Sequence, residues 1–186
     1  TLQINVSSGI INDIAVSEAK LVFTEVVAEG KGGVDMNMAL NGPLRNHLEY
    51  VVREPINLGK NLDFDIAGVE GEAAFNIALA FPTKKDIPLE EIDLNVDGTV
   101  RDILLPKAVS GLDLTGGPLD ITVDDNSIVI EGNARIADRP AIIKREAFLR
   151  SQGSDYKSKT TLSMDVDPNI RERLGIDLSM FLEGSA

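Results

Sequence analysis

This chain has no cysteine, no tryptophan and a single histidine. Without cysteine it holds no disulfide and no thiolate metal site. That absence leaves the compartment open, because a cysteine-free chain survives in any redox environment. His47, alone, lacks the partners of a zinc or catalytic centre; on a helix its plainer role is surface or packing. Aromatic residues make up only 4% of the chain, too few for a sugar-stacking platform. Positive charge is also scarce: 18 Lys and Arg stand against 30 Asp and Glu, a net charge of −12. Such a surface disfavours nucleic acid and anionic membrane as primary partners. No apolar run approaches the ~20 residues that a membrane-spanning helix needs.

What the chain does have is aliphatic. It is 43% hydrophobic, mostly Ile, Leu, Val and Ala. Its 186 residues suffice for one large β domain or two small ones. The organising stretch is Val34 to Leu48. Val34, Met36, Met38 and Leu40 alternate with Asp35, Asn37 and Asn41, the period of a half-buried strand. At Gly42-Pro43 the period changes, and Leu44, Leu48, Val51 and Val52 fall at helical spacing. A strand therefore runs into a short helix, which is expected to reach about Arg53, before Pro55.

The rest of the chain reads as strands. Leu2–Val6, Ile10–Ile14 and Lys20–Val27 precede the organising stretch, with a loop at Glu29–Gly33. From Leu62 the chain returns to strand, and Gly68–Phe81 alternates longest, with Ala73, Phe75, Ile77, Leu79 and Phe81 on one face. Ile92, Leu94 and Val96 alternate with Asp93, Asn95 and Asp97. Gly116-Gly117-Pro118 reads as a turn. Leu119, Ile121 and Val123 form one strand, Ile128 and Ile130 the next, with Asp124-Asp125-Asn126 as a hairpin turn. Ala141–Leu149 and Thr160–Val166 complete the set.

The strand-to-helix switch recurs at Thr160–Leu174, 126 residues after Val34. Residues 2–48 match 128–174 without a gap. Leu2, Ile4 and Ile10 fall on Ile128, Ile130 and Ile136; Met36, Met38 and Leu40 on Leu162, Met164 and Val166; Leu44 and Leu48 on Ile170 and Leu174. Identities are few, and the shared feature is the apolar pattern, which alternating strands also share at any even shift. Residues 1–186 are expected to form one repeat-built β domain, a piece of a longer polypeptide.

The polar motifs yield no chemistry. Asp93-Leu94-Asn95-Val96-Asp97-Gly98 matches the first half of a calcium loop, but the twelfth position is Leu104 where a bidentate Glu is needed. Ser7, Ser8 and Ser110 have no base arranged beside them. Gly30-Lys31-Gly32-Gly33 lacks the spacing of a phosphate loop. Asn5-Val6-Ser7 is a glycosylation sequon only on a eukaryotic secretory route. The acids mostly alternate with apolar residues, as on a solvated outer face; a glycosidase-like pair among them is a weaker, carbohydrate-active reading. No catalytic residue, metal or cofactor is expected, and the chain reads as a non-enzyme.

One-faced strands usually close a sandwich or barrel. Aliphatic faces with few bulky aromatics also suit a long curved antiparallel sheet, a repeating β-groove or half-barrel. Its inner face would need an apolar cargo, and an acyl chain is the natural one. The expected groove-facing, lipid-binding residues are Met36, Met38, Leu40, Phe75, Ile77, Leu79, Phe81, Ile92, Leu94, Val96, Leu119, Ile121, Val123, Leu162, Met164 and Val166. For each, the plain alternative is an ordinary core position.

Two stretches carry a family resemblance. Residues 170–186, I-R-E-R-L-G-I-D-L-S-M-F-L-E-G-S-A, resemble the short helix and leucine-glycine-x-aspartate-leucine re-entry into a strand of AsmA-like proteins of the YhdP/TamB type. Asp113–Ile121, with Leu119-Asp120-Ile121 after Gly-Gly-Pro, is similar to the mid-repeat strands of the same group. The resemblance implies a repeating β-groove with short helices after the strands near 34–40 and 160–166. It implies a periplasmic body held at the inner membrane by an anchor outside these residues. It further implies phospholipid transport toward the outer membrane, in support of outer-membrane biogenesis, and it assigns no catalytic residue. The rival class is a structural or adhesive β-repeat module with a closed, dry core and no ligand.

Overall fold

The computed structural model describes residues 1–25, 32–52, 65–88, 91–148 and 158–173. Ten strands form one sheet in which every neighbouring pair is antiparallel. They are β1 (Leu2–Ile11), β2 (Ile14–Thr24), β3 (Gly33–Pro43), β4 (Glu70–Pro82), β5 (Asp93–Val109), β6 (Leu112–Gly116), β7 (Leu119–Val123), β8 (Ser127–Ile136), β9 (Arg139–Phe148) and β10 (Ser158–Met164). Helix α1 (Leu44–Val51) follows β3 directly, and α2 (Pro168–Arg173) follows β10. The mainly β, antiparallel fold with short helices after the third and last strands is the expected class.

The strands lie side by side in chain order, with β1 and β10 at the two edges. β6 and β7 share one lane between β5 and β8. Gly116-Gly117-Pro118 is thus an interruption within that lane, not the chain reversal expected from sequence. The reversal occurs earlier, at Ser110-Gly111, both left-handed (φ 49° and 80°).

Ile10–Ile14 is likewise not a strand of its own. Asn12 and Asp13 are both left-handed (φ 49° and 61°) and turn β1 into β2. Asn and Asp tolerate that conformation, and two such residues suit a tight hairpin whose twist matches the strands. The β7–β8 turn is the expected one. Asp124 Oδ1 accepts hydrogen bonds from the Asn126 and Ser127 backbone N–H groups at 2.8 and 2.7 Å. The expected segments from 26 to 31, 53 to 64 and 174 to 186, and Leu149, lie outside the described residues.

Three left-handed residues mark register shifts. β2 gains a residue against β3 between Ser17 and Lys20, around Glu18 (φ 53°). β5 gains one against β4 at Asp102 (φ 51°), and shifts again against β6 around Lys107 (φ 56°). Each extra residue bends its strand and increases the local twist. A 17-residue strand such as β5 thereby follows a bent sheet without losing its pairing.

The chain between β3 and β4 carries the covering elements. Leu44 at the start of α1 is 7% exposed, and Val69, just before β4, is 3% exposed. Both join one cluster with Ala73, Val100, Ile103, Leu112, Leu114, Leu119, Ala134, Ile136, Ala141 and Ile143. At the far end of the sheet, Asp167 Oδ1 caps α2 by accepting from the Ile170 N–H at 2.9 Å. Asp167 Oδ2 also pairs with Arg139 at 2.5 Å.

Candidate functional site

Side chains alternate along a strand, so the register decides which residues share a face. β3 and β4 set Leu40 opposite Phe75, Met38 opposite Ile77, Met36 opposite Leu79 and Val34 opposite Phe81. β5 continues these rows, with Leu94 opposite Leu79, Val96 opposite Ile77 and Val100 opposite Ala73. β7 follows, with Val123 opposite Val96, Ile121 opposite Gly98 and Leu119 opposite Val100. Across β8 and β9, Ile128, Ile130 and Gly132 lead to Ala147, Arg145 and Ile143. Leu162 and Met164 of β10 stand opposite Ile143 and Ala141.

Fourteen of the sixteen expected groove residues therefore share one face, all but Ile92 and Val166. Those two lie outside the strands: Ile92 just before β5, and Val166, 43% exposed, between β10 and α2. Several residues of the same face were not in the expected set. Leu21 and Phe23 oppose Met36 and Val34, and Ile4 and Leu2 oppose Leu21 and Phe23. Ile128, Ile130 and Arg145 also belong to it. The signal was parity: Ala141, Ile143, Arg145 and Ala147 alternate, and Arg145 is the one polar member of that row.

Burial along this face is graded. At one end of the strands Ala73, Val100, Ile103, Leu114, Leu119 and Ile143 are buried, and Ile136 is 0% exposed. Toward the other ends of the same strands, Met36, Met38, Ile77, Leu79, Phe81, Leu94, Val96, Ile121, Val123, Ile128 and Ile130 are only half-buried. One end of the face is a sealed core, and the other is a half-covered aliphatic surface.

The opposite face is polar. Asp35, Asn37, Asn76, Asp93, Asn95, Asp97, Asp120, Thr122 and Glu131 are exposed there. A shallow depression of about 250 Å³ lies on it, lined by Glu18, Asn37, Ala39, Asn76, Ala78, Asn95 and Asp97 among others. Asp93, Asn95 and Asp97 project from the extended strand β5, so they do not wrap a cation as a calcium loop does. Among the described residues no three His, Asp or Glu side chains gather for a metal. No described helix is long and apolar enough to cross a membrane.

His47 projects from α1 onto the apolar face and is 8% exposed. Its ring meets Phe75 edge-on, with centroids 5.3 Å apart. Nδ1 lies 3.0 Å from the Pro43 carbonyl oxygen, so Nδ1 carries the proton and donates. Nε2 is buried without a partner. The histidine thus packs α1 onto β4, as its plainer sequence reading has it.

Among the described residues two titrating groups are shifted, and neither lies on the apolar face. Backbone N–H groups of Asn126 and Ser127 hold the Asp124 carboxyl below its ordinary value. On the outer face the Glu131 carboxylate, hydrogen-bonded to Lys144 Nζ at 2.8 Å, raises that ammonium.

The arrangement can hold an apolar chain along its aliphatic rows. No family model, curated protein or solved structure matches this chain.

Proposed function

We propose that this chain is a non-catalytic segment of a lipid-transport protein, whose apolar sheet face carries phospholipid acyl chains. The carrying observation is the continuity of that face. Aliphatic rows run from β2 through β8 on neighbouring strands, half-buried over much of their length. Exposing an acyl chain to water costs about 0.8 kcal/mol per CH₂, on the order of 10 kcal/mol for a whole chain. A continuous aliphatic surface offsets that cost along the path. The resemblance to AsmA-like proteins of the YhdP/TamB type adds the setting: a periplasmic groove between inner and outer membranes, with the membrane anchor outside these residues. The sealed cluster around Ile136 favours the rival, a structural module with a dry core.

Replacing Ile77 by Glu separates the two. In a dry core the carboxylate is buried unpaired and unfolds the domain, at a cost of several kcal/mol. On an acyl-binding face it reaches water when cargo is absent. The expected result is an Ile77→Glu protein that melts cooperatively but loses binding of a fluorescent fatty-acyl probe, beside an outward Asn76→Glu control that keeps both. Unfolding of Ile77→Glu, with no probe binding by the wild type, sends the assignment to the structural module.

A further inference from the structure

Arg145 is the one charged side chain that the register places within the half-buried stretch of the apolar face, among the described residues. It stands between Ile130 on β8 and Thr160 on β10. Its same-face neighbours along β9 are Ile143, 6% exposed, and Ala147. No Asp or Glu shares that face on either adjoining strand, and among the described residues Arg145 has no ion-pair partner. The contrast with the next residue is direct. Lys144, on the outer face, is paired with Glu131 at 2.8 Å. Among the described residues the outer cation is matched and the inner one is not.

An arginine in such a place can lay its aliphatic stem on Ile130 and keep its head in water. Once an acyl chain covers the face, however, a neighbouring cation loses water and needs an anion. An acidic lipid headgroup supplies one from the same molecule. The guanidinium fork matches a carboxylate or phosphate with two hydrogen bonds, and the Thr160 hydroxyl across the strand pair offers a further donor. From Arg145 the face continues through Ile130 to Ile121, one strand lane of about 4.8 Å at a time. We propose that Arg145 receives the anionic headgroup of an acyl amphiphile whose chain lies on Ile130 and Ile121. This rests on the lipid-carrying reading above and gives that face a polarity: headgroup toward β9 and β10, chain toward β7 and β5.

The test compares one chain length with three heads, by calorimetry below the micellar concentration: dodecyl phosphate, dodecanoate and dodecanol. Wild type is expected to prefer the two anions over the alcohol by about tenfold, the effect of one charge-assisted pair. Arg145→Gln should abolish the preference and leave dodecanol binding intact. Arg145→Lys should keep part of it, and carries the test alone if the Gln variant does not fold. Lys144→Gln, on the outer face, should behave as wild type. Inorganic phosphate at equal concentration should not displace dodecyl phosphate; full displacement would make this a free-anion site and overturn the proposal. Equal binding of all three heads by wild type, or an unchanged preference in Arg145→Gln, also overturns it while the lipid-carrying reading stands. Binding of none of the three removes that reading and this one together.

Discussion

Gly98 has no side chain because Phe75 lies where one would be. A Cβ at this position overlaps the Phe75 ring and the Ala74 carbonyl across the β4–β5 ladder. Gly98→Ala should therefore cost about 1–3 kcal/mol by overpacking, read as a lowered denaturant midpoint. Phe75→Leu in the same chain should recover part of that loss, because the two sites are directly coupled. Asp124 makes a different prediction, in pH. Its carboxylate accepts two backbone N–H groups of the β7–β8 turn, which hold its folded pKa below the ordinary carboxylate value. The ionised form thus favours the fold. Its contribution is present above the ordinary carboxylate pKa and is lost as pH falls through the lowered folded value. Asp124→Asn should flatten this acid-side dependence, and melting curves from neutral pH down to the acid limb for both proteins will show whether it does.

Strands β3, β4 and β7 were legible because their alternation is uninterrupted, and the helix after β3 because Leu44 and Leu48 change the period. The failures have local causes. Ile10, Ile11 and Ile14 carry strong strand propensity, which hides the Asn12-Asp13 turn between them. β5 reads as ending near Val96, yet it runs to Val109; left-handed Asp102 and Lys107 reverse the parity that a sequence pattern follows. The ladders also slide the internal match. The hairpin turns set Ile11 and Ile14 on Ile136 and Arg139, one position from the gapless match. Leu40, opposite Val16, then falls level with Met164, opposite Ala141, two positions from it. What sequence could not supply is the exposure of the first strand. All ten residues of β1 are exposed, none is charged, and Ile10 and Ile11 are 76% and 56% exposed. A long apolar edge without charge or proline invites another strand. The protein should self-associate as its concentration rises, and Val6→Lys should suppress this in sedimentation velocity without lowering the melting temperature.

Across the whole molecule the apolar face changes character from end to end. Around Ile136 it is sealed in the buried cluster; around Leu79 and Ile121 it is half open. Substitution should follow the same gradient. Ile136→Ala removes a fully buried side chain and should cost about 2–5 kcal/mol, whereas Leu79→Ala should cost clearly less. The candidate residues were legible as a set because lipid contact and core packing both require the same alternation, and for that reason sequence did not separate them. Contact with lipid itself is the quantity that does. A photo-reactive phenylalanine analogue placed at Leu79 or Ile121, with outward Asn76 and Thr122 as controls, is irradiated with vesicles of phosphatidylethanolamine and phosphatidylglycerol. Phospholipid adducts at Leu79 and Ile121 and not at the outward positions are the predicted result; adducts on neither face, or equally on both, would contradict it.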